Sequence, residues 1–119
     1  DVEQGSAVAH FLDGFVGAHN STGHEGRYLG DHTLADLQAT GWQITTCERQ
    51  DFHWTFADRA ELGQFAFHLF DLCQSTPQAV ADAIEAALGV IELPNGQTGM
   101  NWSLLTIACT SPVRTTGQP

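Results

Sequence analysis

The stretch from residue 41 to residue 72 constrains the fold most, because it changes from a strand pattern to a helix pattern. Residues 42–48 alternate between large or β-branched and polar side chains, which predicts a β-strand. Asp58 is a good N-cap, and apolar residues follow it at intervals of three and four, which predicts a helix. The connection at 52–56 is predicted to be an aromatic turn. It is so apolar that a neighbouring surface is expected to cover it.

The predicted faces of this stretch follow from the spacing. The strand is expected to place Trp42, Ile44 and Thr46 on one face and Gln43, Thr45 and Cys47 on the other. The apolar stripe of the helix is predicted to consist of Leu62, Phe65, Ala66, Leu69 and Phe70.

Charge narrows the classes of partner. The chain has fourteen acidic residues, four arginines and no lysine, with a formal net charge of -10. Such a surface repels phosphate backbones and anionic membranes, so nucleic-acid and lipid binding are disfavoured. No run of about 18 apolar residues occurs, so no segment is expected to span a bilayer.

The chain starts at Asp1, and its only methionine is Met100. We expect a processed or trimmed chain, or part of a longer one.

The length predicts one domain, over residues 1–110, followed by a polar tail at 111–119 that is expected to fray.

The three cysteines are far apart and form no C-x-x-C pair. They are predicted to be small buried thiols in a reducing cytoplasm, without a disulfide framework. The six histidines show no H-x-x-x-H or H-E-x-x-H spacing, which disfavours a metal site.

The first third of the chain is predicted to be mostly helical. Ser6 is expected to cap an amphipathic helix that ends near Ala18, and the glycine-rich loop 23–31 follows. Asp31 is predicted to cap a short helix that ends at Gly41. Leu34 and Leu37 are expected to face inward from this short helix.

The last third is predicted to contain a helix and a hairpin. Thr76 as N-cap and Pro77 at the first helical position begin the helix, and Gly89 ends it. A short strand at 90–93 and a turn at 94–99 lead into a strand at 101–109. In that strand Leu105 and Ile107 are predicted on one face and Trp102, Leu104 and Thr106 on the other. Apolar residues on both faces are typical of an inner strand.

The predicted class is therefore α/β with a small sheet. An inner strand at 101–109 needs neighbours on both sides, and the sequence offers only the segments at 42–48 and 90–93. Further strands are expected to be missing from this chain.

Several segments resemble one known family. The run G-W-Q-I at a strand start, then W-T-F, the helix end H-L-F-D-L, and N-W-S-L-L-T-I-A-C are similar to the C-terminal half of class I S-adenosylmethionine-dependent methyltransferases. The nearest likeness is to small-molecule enzymes of the trans-aconitate or malonyl-carrier type. The resemblance spans roughly residues 5 to 110 and contains no single diagnostic motif.

The resemblance implies a Rossmann-like fold whose seven-stranded sheet has a reversed final strand inserted between two parallel ones. Residues 42–48 would be the sixth strand and residues 101–109 the seventh. The helices between 58 and 88 would be the insertion that often covers the acceptor pocket. It also implies S-adenosylmethionine as the cofactor of the complete enzyme.

The cofactor site of that family lies in the N-terminal half, in a glycine-rich turn between a strand and a helix. Here Gly14 and Gly17 lie within a helical pattern, and Gly23, Gly26 and Gly30 follow a helix. We therefore expect no cofactor-binding residues in this chain, and neither cofactor binding nor methyl transfer by it alone. Its expected partners are a small-molecule acceptor and either the missing N-terminal half or a second copy.

Candidate acceptor-binding residues fall into two groups. In the loop, His24 could take a proton, Arg27 could clamp a carboxylate, and Tyr28 lies beside them. The alternative is that Arg27 pairs with one of the many acids and His24 is solvated. Three aromatic residues could line an acceptor pocket, with core packing as the alternative: Trp54, Phe56 and Phe70. No catalytic residue is assigned.

Two functions from different classes remain open. The chain could be the substrate-side portion of a small-molecule methyltransferase, inactive alone. Alternatively, it could be a stand-alone α/β binding or dimerisation domain without catalysis, which closes its open sheet with a partner copy.

Overall fold

The computed structural model describes residues 1–111, in which a three-stranded antiparallel sheet packs with four helices. The sheet order is β1-β3-β2, with β1 at Gln43–Phe56, β2 at Val90–Glu92 and β3 at Thr98–Thr110. Helix α1 is continuous over Ala7–Phe11, a π-helical turn at Leu12–Val16, and Gly17–His19. The others are α2 at Asp31–Ala39, α3 at Arg59–Leu69 and α4 at Pro77–Ala87. The predicted α/β class is confirmed at this level.

Most of the predicted helix boundaries are correct, because local capping sets them. The side chains of Ser6, Asp58 and Thr76 each accept a hydrogen bond from the amide three residues later. Gly41 and Gly89 follow helices with φ of +93° and +94°, a conformation that favours glycine.

Helix α2 differs from the prediction. Its N-cap is Gly30, whose amide donates to the Thr33 hydroxyl at 3.1 Å, and Asp31 is the first helical residue. Leu34 and Leu37 are only half-buried, and α2 has no buried residue. The helix lies on the outside of the fold, so the predicted inward face is only partly covered.

The predicted aromatic turn is wrong. Residues 52–56 continue β1, and Phe52, Trp54 and Phe56 lie opposite Trp102, Met100 and Thr98 of β3. Period-two spacing was present in the sequence, because polar His53 and Thr55 separate the three aromatic residues. Backbone pairing along β3 extends the strand through them.

The start of β1 also differs from the prediction. Ile44 lies opposite Cys109, and Thr46 lies opposite Ala108, with a bulge between them. Ile44 and Thr46 are therefore on different faces, although simple alternation put them on the same one. The Thr45 hydroxyl in this bulge donates to the Ala108 carbonyl at 3.1 Å.

Strand β3 is the inner strand, as predicted. β1 runs along one edge, and β2 pairs with the other edge only from Thr98 to Met100. Further along that second edge, the backbone of Asp1 exchanges two hydrogen bonds with Leu105, of 2.7 and 3.0 Å. Trp102 and Leu105 are buried on opposite faces, whereas Thr106 is exposed. Burial on both faces is thus confined to the first part of the strand.

The core lies between the sheet and helices α1, α3 and α4. Its fully buried side chains are Val8, Val16, Leu62, Leu72, Val80, Ile84 and Met100. Helices α3 and α4 approach closely at Gly63, because a Cβ there would collide with the backbone carbonyl of Pro77.

The cysteines were predicted to be buried, and this is wrong. Cys47 and Cys73 are exposed and Cys109 is half-buried. Cys47 lies on β1, where most side chains are exposed, and Cys73 lies in the connection between α3 and α4. All three are free thiols.

Residues 112–119, which make up nearly all of the predicted polar tail, lie outside the described residues. Within residues 1–111, no helix has both the length and the apolar character needed to cross a membrane.

Gly63 and Gly14 give a matched pair of substitutions. Gly63→Ala should lower the free energy of unfolding by about 1–3 kcal/mol, because the new methyl group forces α3 and α4 apart. Gly14→Ala has no atom within 4 Å of the new Cβ, so it should be neutral or stabilise the helix by up to about 1 kcal/mol. Urea unfolding measures both, and equal effects would contradict the close packing of the two helices.

Candidate functional site

The candidate site is built on Asp13, which lies in the π-helical turn of α1. One carboxylate oxygen of Asp13 accepts hydrogen bonds from the Tyr28 hydroxyl at 2.6 Å and the Gly26 amide at 3.2 Å, and lies 3.0 Å from His24 Nδ1. Single π-turns within α-helices occur frequently at functional sites. Asp13 therefore fixes the loop that the sequence singled out, and we call this group the Asp13–His24–Tyr28 site.

The contact with Asp13 orients the imidazole of His24. An ionised carboxylate only accepts hydrogen bonds, so Nδ1 carries the proton and Nε2 of the neutral ring is left with its lone pair. His24 Nε2 makes no hydrogen bond within residues 1–111, and the side chain is 30% exposed. This arrangement can accept a proton from a bound molecule.

Hydrogen bonds and burial shift two pKa values in the site. The Tyr28 hydroxyl, and then His24, hold the pKa of Asp13 below its ordinary value of 3.8 by hydrogen bonding to the carboxylate. The stabilisation that this group gives is present above that value and is lost as the pH falls through the lower folded value. Burial, and then the bond to Asp13, raise the pKa of Tyr28, so the phenol stays a hydrogen-bond donor at neutral pH.

Arg27 differs from the other arginines of the described region. Arg59 contacts two acids of α4 at 2.6 and 2.8 Å, and Arg49 lies 3.5 Å from Asp51. Arg27 is exposed and forms no ion pair with any residue between 1 and 111. Pairing with an acid, the alternative role for Arg27, is thus not observed in that part of the chain.

The predicted aromatic residues form a separate cluster between the sheet and α3. Trp54 has ring centroids 5.3 Å from Trp102 and 5.7 Å from Phe65, and Phe56 is buried 5.3 Å from Phe65. Phe70 packs between Phe11 and Trp102, at 6.1 and 6.3 Å. Phe56 and Phe70 are therefore part of the core packing.

Trp54 packs against the core as Phe70 does, but it also carries a polar group. Its indole Nε1 is buried, with no hydrogen-bond acceptor among the described residues. A buried unpaired donor costs about 1–3 kcal/mol, which core packing does not explain.

The two groups of candidate residues do not form one pocket. Phe11 of α1 contacts the aromatic cluster, whereas Asp13, two residues later, binds the loop. Two residues correspond to about half a turn, so the groups lie on opposite sides of α1. The open cleft beside Asp13 and His24 is also lined by Gly17, Thr22, Gly23 and Glu25. It contains none of the three predicted aromatic residues.

Asp13 is the residue that the sequence analysis missed. It lies on the polar side of an amphipathic helix, where an acid is ordinary, and eleven residues separate it from His24. No local spacing connects the two, because the loop turns back onto α1 only in the folded chain. Within residues 1–111, no three His, Cys, Asp or Glu side chains are grouped so that they could hold a metal ion.

Tyr28 is the only tyrosine, so absorbance at 295 nm reports its ionisation alone. The folded chain should titrate above 10.0, and the chain in urea near that value. Asp13→Asn removes the negative charge beside Tyr28. The midpoint of the Tyr28 titration in the folded chain should therefore fall, but the part of the shift that burial causes should remain. Asp51→Asn, far from the loop in sequence and on exposed β1, should leave it unchanged. A folded midpoint of 10.0 would contradict the bond between Tyr28 and Asp13.

Comparisons of the chain with known protein families, with curated proteins and with solved structures found no match.

Proposed function

We propose that this chain is the acceptor-side portion of an S-adenosylmethionine-dependent methyltransferase that acts on a small molecule. The observation that carries the proposal is the position of β3, an inner strand that runs antiparallel to β1. The resemblance of the sequence implies such a reversed final strand with a neighbour on each side. In the full fold, that second neighbour would come from the N-terminal half.

The open edge of β3 supports this proposal. Asn101 donates its amide to Gly89 beside β2, and Leu105 bonds to Asp1, so the odd-numbered residues of β3 direct their backbone groups to this side. Beyond Leu105, no strand of residues 1–111 lies on this side of Ile107 and Cys109. An additional strand would satisfy their backbone groups and extend the sheet.

The Asp13–His24–Tyr28 site supplies chemistry suited to the acceptor. His24 would accept the proton that an acceptor atom loses as it is methylated, through Nε2, while Asp13 holds the ring in place. Exposed Arg27, three residues away, would orient an anionic group of the acceptor. In the separate aromatic cluster, the indole N–H of Trp54 has no hydrogen-bond acceptor among the described residues, so its acceptor would come from outside them.

The residues of this chain do not fit the cofactor itself. Gly14 and Gly17 lie within α1, and Gly23, Gly26 and Gly30 follow that helix rather than a strand. Residues 1–111 therefore contain no glycine-rich turn between a strand and a helix of the kind that holds the cofactor in this family. The proposal assigns cofactor binding to another part of the enzyme.

Thermal unfolding with S-adenosylmethionine tests this assignment. A ligand at about 100 times its Kd stabilises a folded chain by about 2.7 kcal/mol, a rise in Tm of roughly 10 °C for this length. We expect no rise for this chain at millimolar cofactor, with adenosine as the matched control ligand. A clear rise with the cofactor alone would overturn the assignment.

The coding region upstream of Asp1 provides the positive test. It should encode a strand, a glycine-rich turn and a helix, and the chain extended by that region should bind the cofactor. In the extended enzyme, His24→Ala should lower kcat by about 10²- to 10⁴-fold with cofactor affinity unchanged. His10→Ala, on the exposed face of α1, is the control. An upstream region without such a turn would refute the proposed function.

A further inference from the structure

The outer edge of β1 is long, and no other strand of residues 1–111 pairs with it. Strand β1 has fourteen residues, and nearly all of them are exposed. Natural edge strands avoid pairing with other molecules by using charged side chains (lysine above all), proline, bulges or a covering element. β1 contains no lysine or proline, and its one bulge, between Ile44 and Thr46, lies near its beginning. Residues 47–55 therefore form a regular edge, and the only such devices in it are three charged side chains, Glu48, Arg49 and Asp51.

The backbone groups that point outward from this edge follow from the pairing of β3. Because odd-numbered residues of β3 face β2 and Asp1, its even-numbered residues face β1. Phe52 lies opposite Trp102 and Gln50 opposite Leu104, so the even-numbered residues of β1 bond to β3. The odd-numbered residues from Cys47 to Thr55 consequently direct their N–H and C=O groups away from the sheet.

The side chains on the edge favour one symmetric arrangement. Arg49 and Asp51 lie on the same face, 3.5 Å apart within one chain. In an antiparallel pair of β1 strands centred on Gln50, each Arg49 lies opposite the Asp51 of the other copy. Centring the pair on Arg49 or Asp51 would instead place two like charges opposite each other. The register centred on Gln50 also pairs Cys47 with His53, so it lies within the regular part of the edge.

We propose that two copies of this chain associate through antiparallel β1 strands centred on Gln50, giving a continuous six-stranded sheet. The two-fold axis is perpendicular to the sheet, so both copies place the same face on the same side. That face carries three exposed apolar side chains of each copy, Phe52, Phe65 and Leu69, at 39, 40 and 50% exposure. Association brings these apolar side chains of the two copies onto one surface.

The net charge of -10 opposes this association. At low ionic strength the two copies repel each other over long distances, and salt near 0.15 M limits this repulsion to about 8 Å. The dimer should therefore strengthen between 0.02 and 0.15 M salt, on the order of severalfold in Kd. The pairing uses no residue of the Asp13–His24–Tyr28 site and does not depend on the proposed function.

Charge exchange tests the register. Sedimentation equilibrium up to several hundred micromolar should show a species of twice the monomer mass of 12.9 kDa. Arg49→Asp and Asp51→Arg alone each place like charges opposite each other, and each should raise Kd by about tenfold or more. The double variant R49D/D51R restores both opposite-charge pairs and should recover the affinity of the original chain. A monomer at all concentrations, or single variants that dimerise as well as the original, would overturn the proposal.

Cross-linking locates the two-fold axis independently. In a background with Cys47, Cys73 and Cys109 replaced by serine, Gln50→Cys should form a disulfide dimer under mild oxidation. The two Cα atoms at position 50 would lie about 4.5 Å apart, as in a pair without backbone hydrogen bonds. Glu48→Cys is the control, because its partner in this register is Phe52. Dimers from Glu48→Cys but not from Gln50→Cys would refute this register.

Discussion

The structure depends on the antiparallel pairing of β1 with β3, which runs from Gln43 opposite Thr110 to Phe56 opposite Thr98. The segment between the two strands contains α3 and α4, so this pairing closes a long loop. Closing a long loop costs conformational entropy. The apolar side chains that are buried at the Phe56 end of the β1–β3 pairing, where the helices cover the sheet, offset that cost. Trp54 and Trp102 contact each other there, and Phe65 of α3 covers Trp54 while Phe70 at the end of that helix covers Trp102.

The helices were predictable because their ends are local. A capping side chain and the amide three residues later, or a glycine with positive φ, are read directly from neighbouring residues. The strand limits were less predictable, since β1 ends only where its partner ends. Residues 52–56 alternate as a strand does, but only their pairing with β3, opposite Trp102 and Met100, shows that the strand continues through them. The bulge between Ile44 and Thr46 also depends on the partner strand.

The candidate site was half predictable. The residues His24, Arg27 and Tyr28 were recognisable because titratable side chains are concentrated in a glycine-rich loop. Asp13 was not, because the contact joins the loop to the preceding helix across eleven residues of chain. The π-turn that contains Asp13 was not predicted, because residues 12–16 continue the amphipathic pattern of the helix in the sequence. The three aromatic candidates come together through contacts with Phe65 and Trp102, which only the tertiary fold defines.

Burial along the β1–β3 ladder is uneven. Near Phe56 and Trp102 the strands are covered by the core, whereas at the other end, around Glu48 and Thr106, most side chains on both strands are exposed. The backbone bonds there are backed by few apolar contacts, so their opening free energy is small. The ladder should therefore fray from the end at Gln43 and Thr110, while amides near Trp102 exchange with solvent only when the whole domain unfolds.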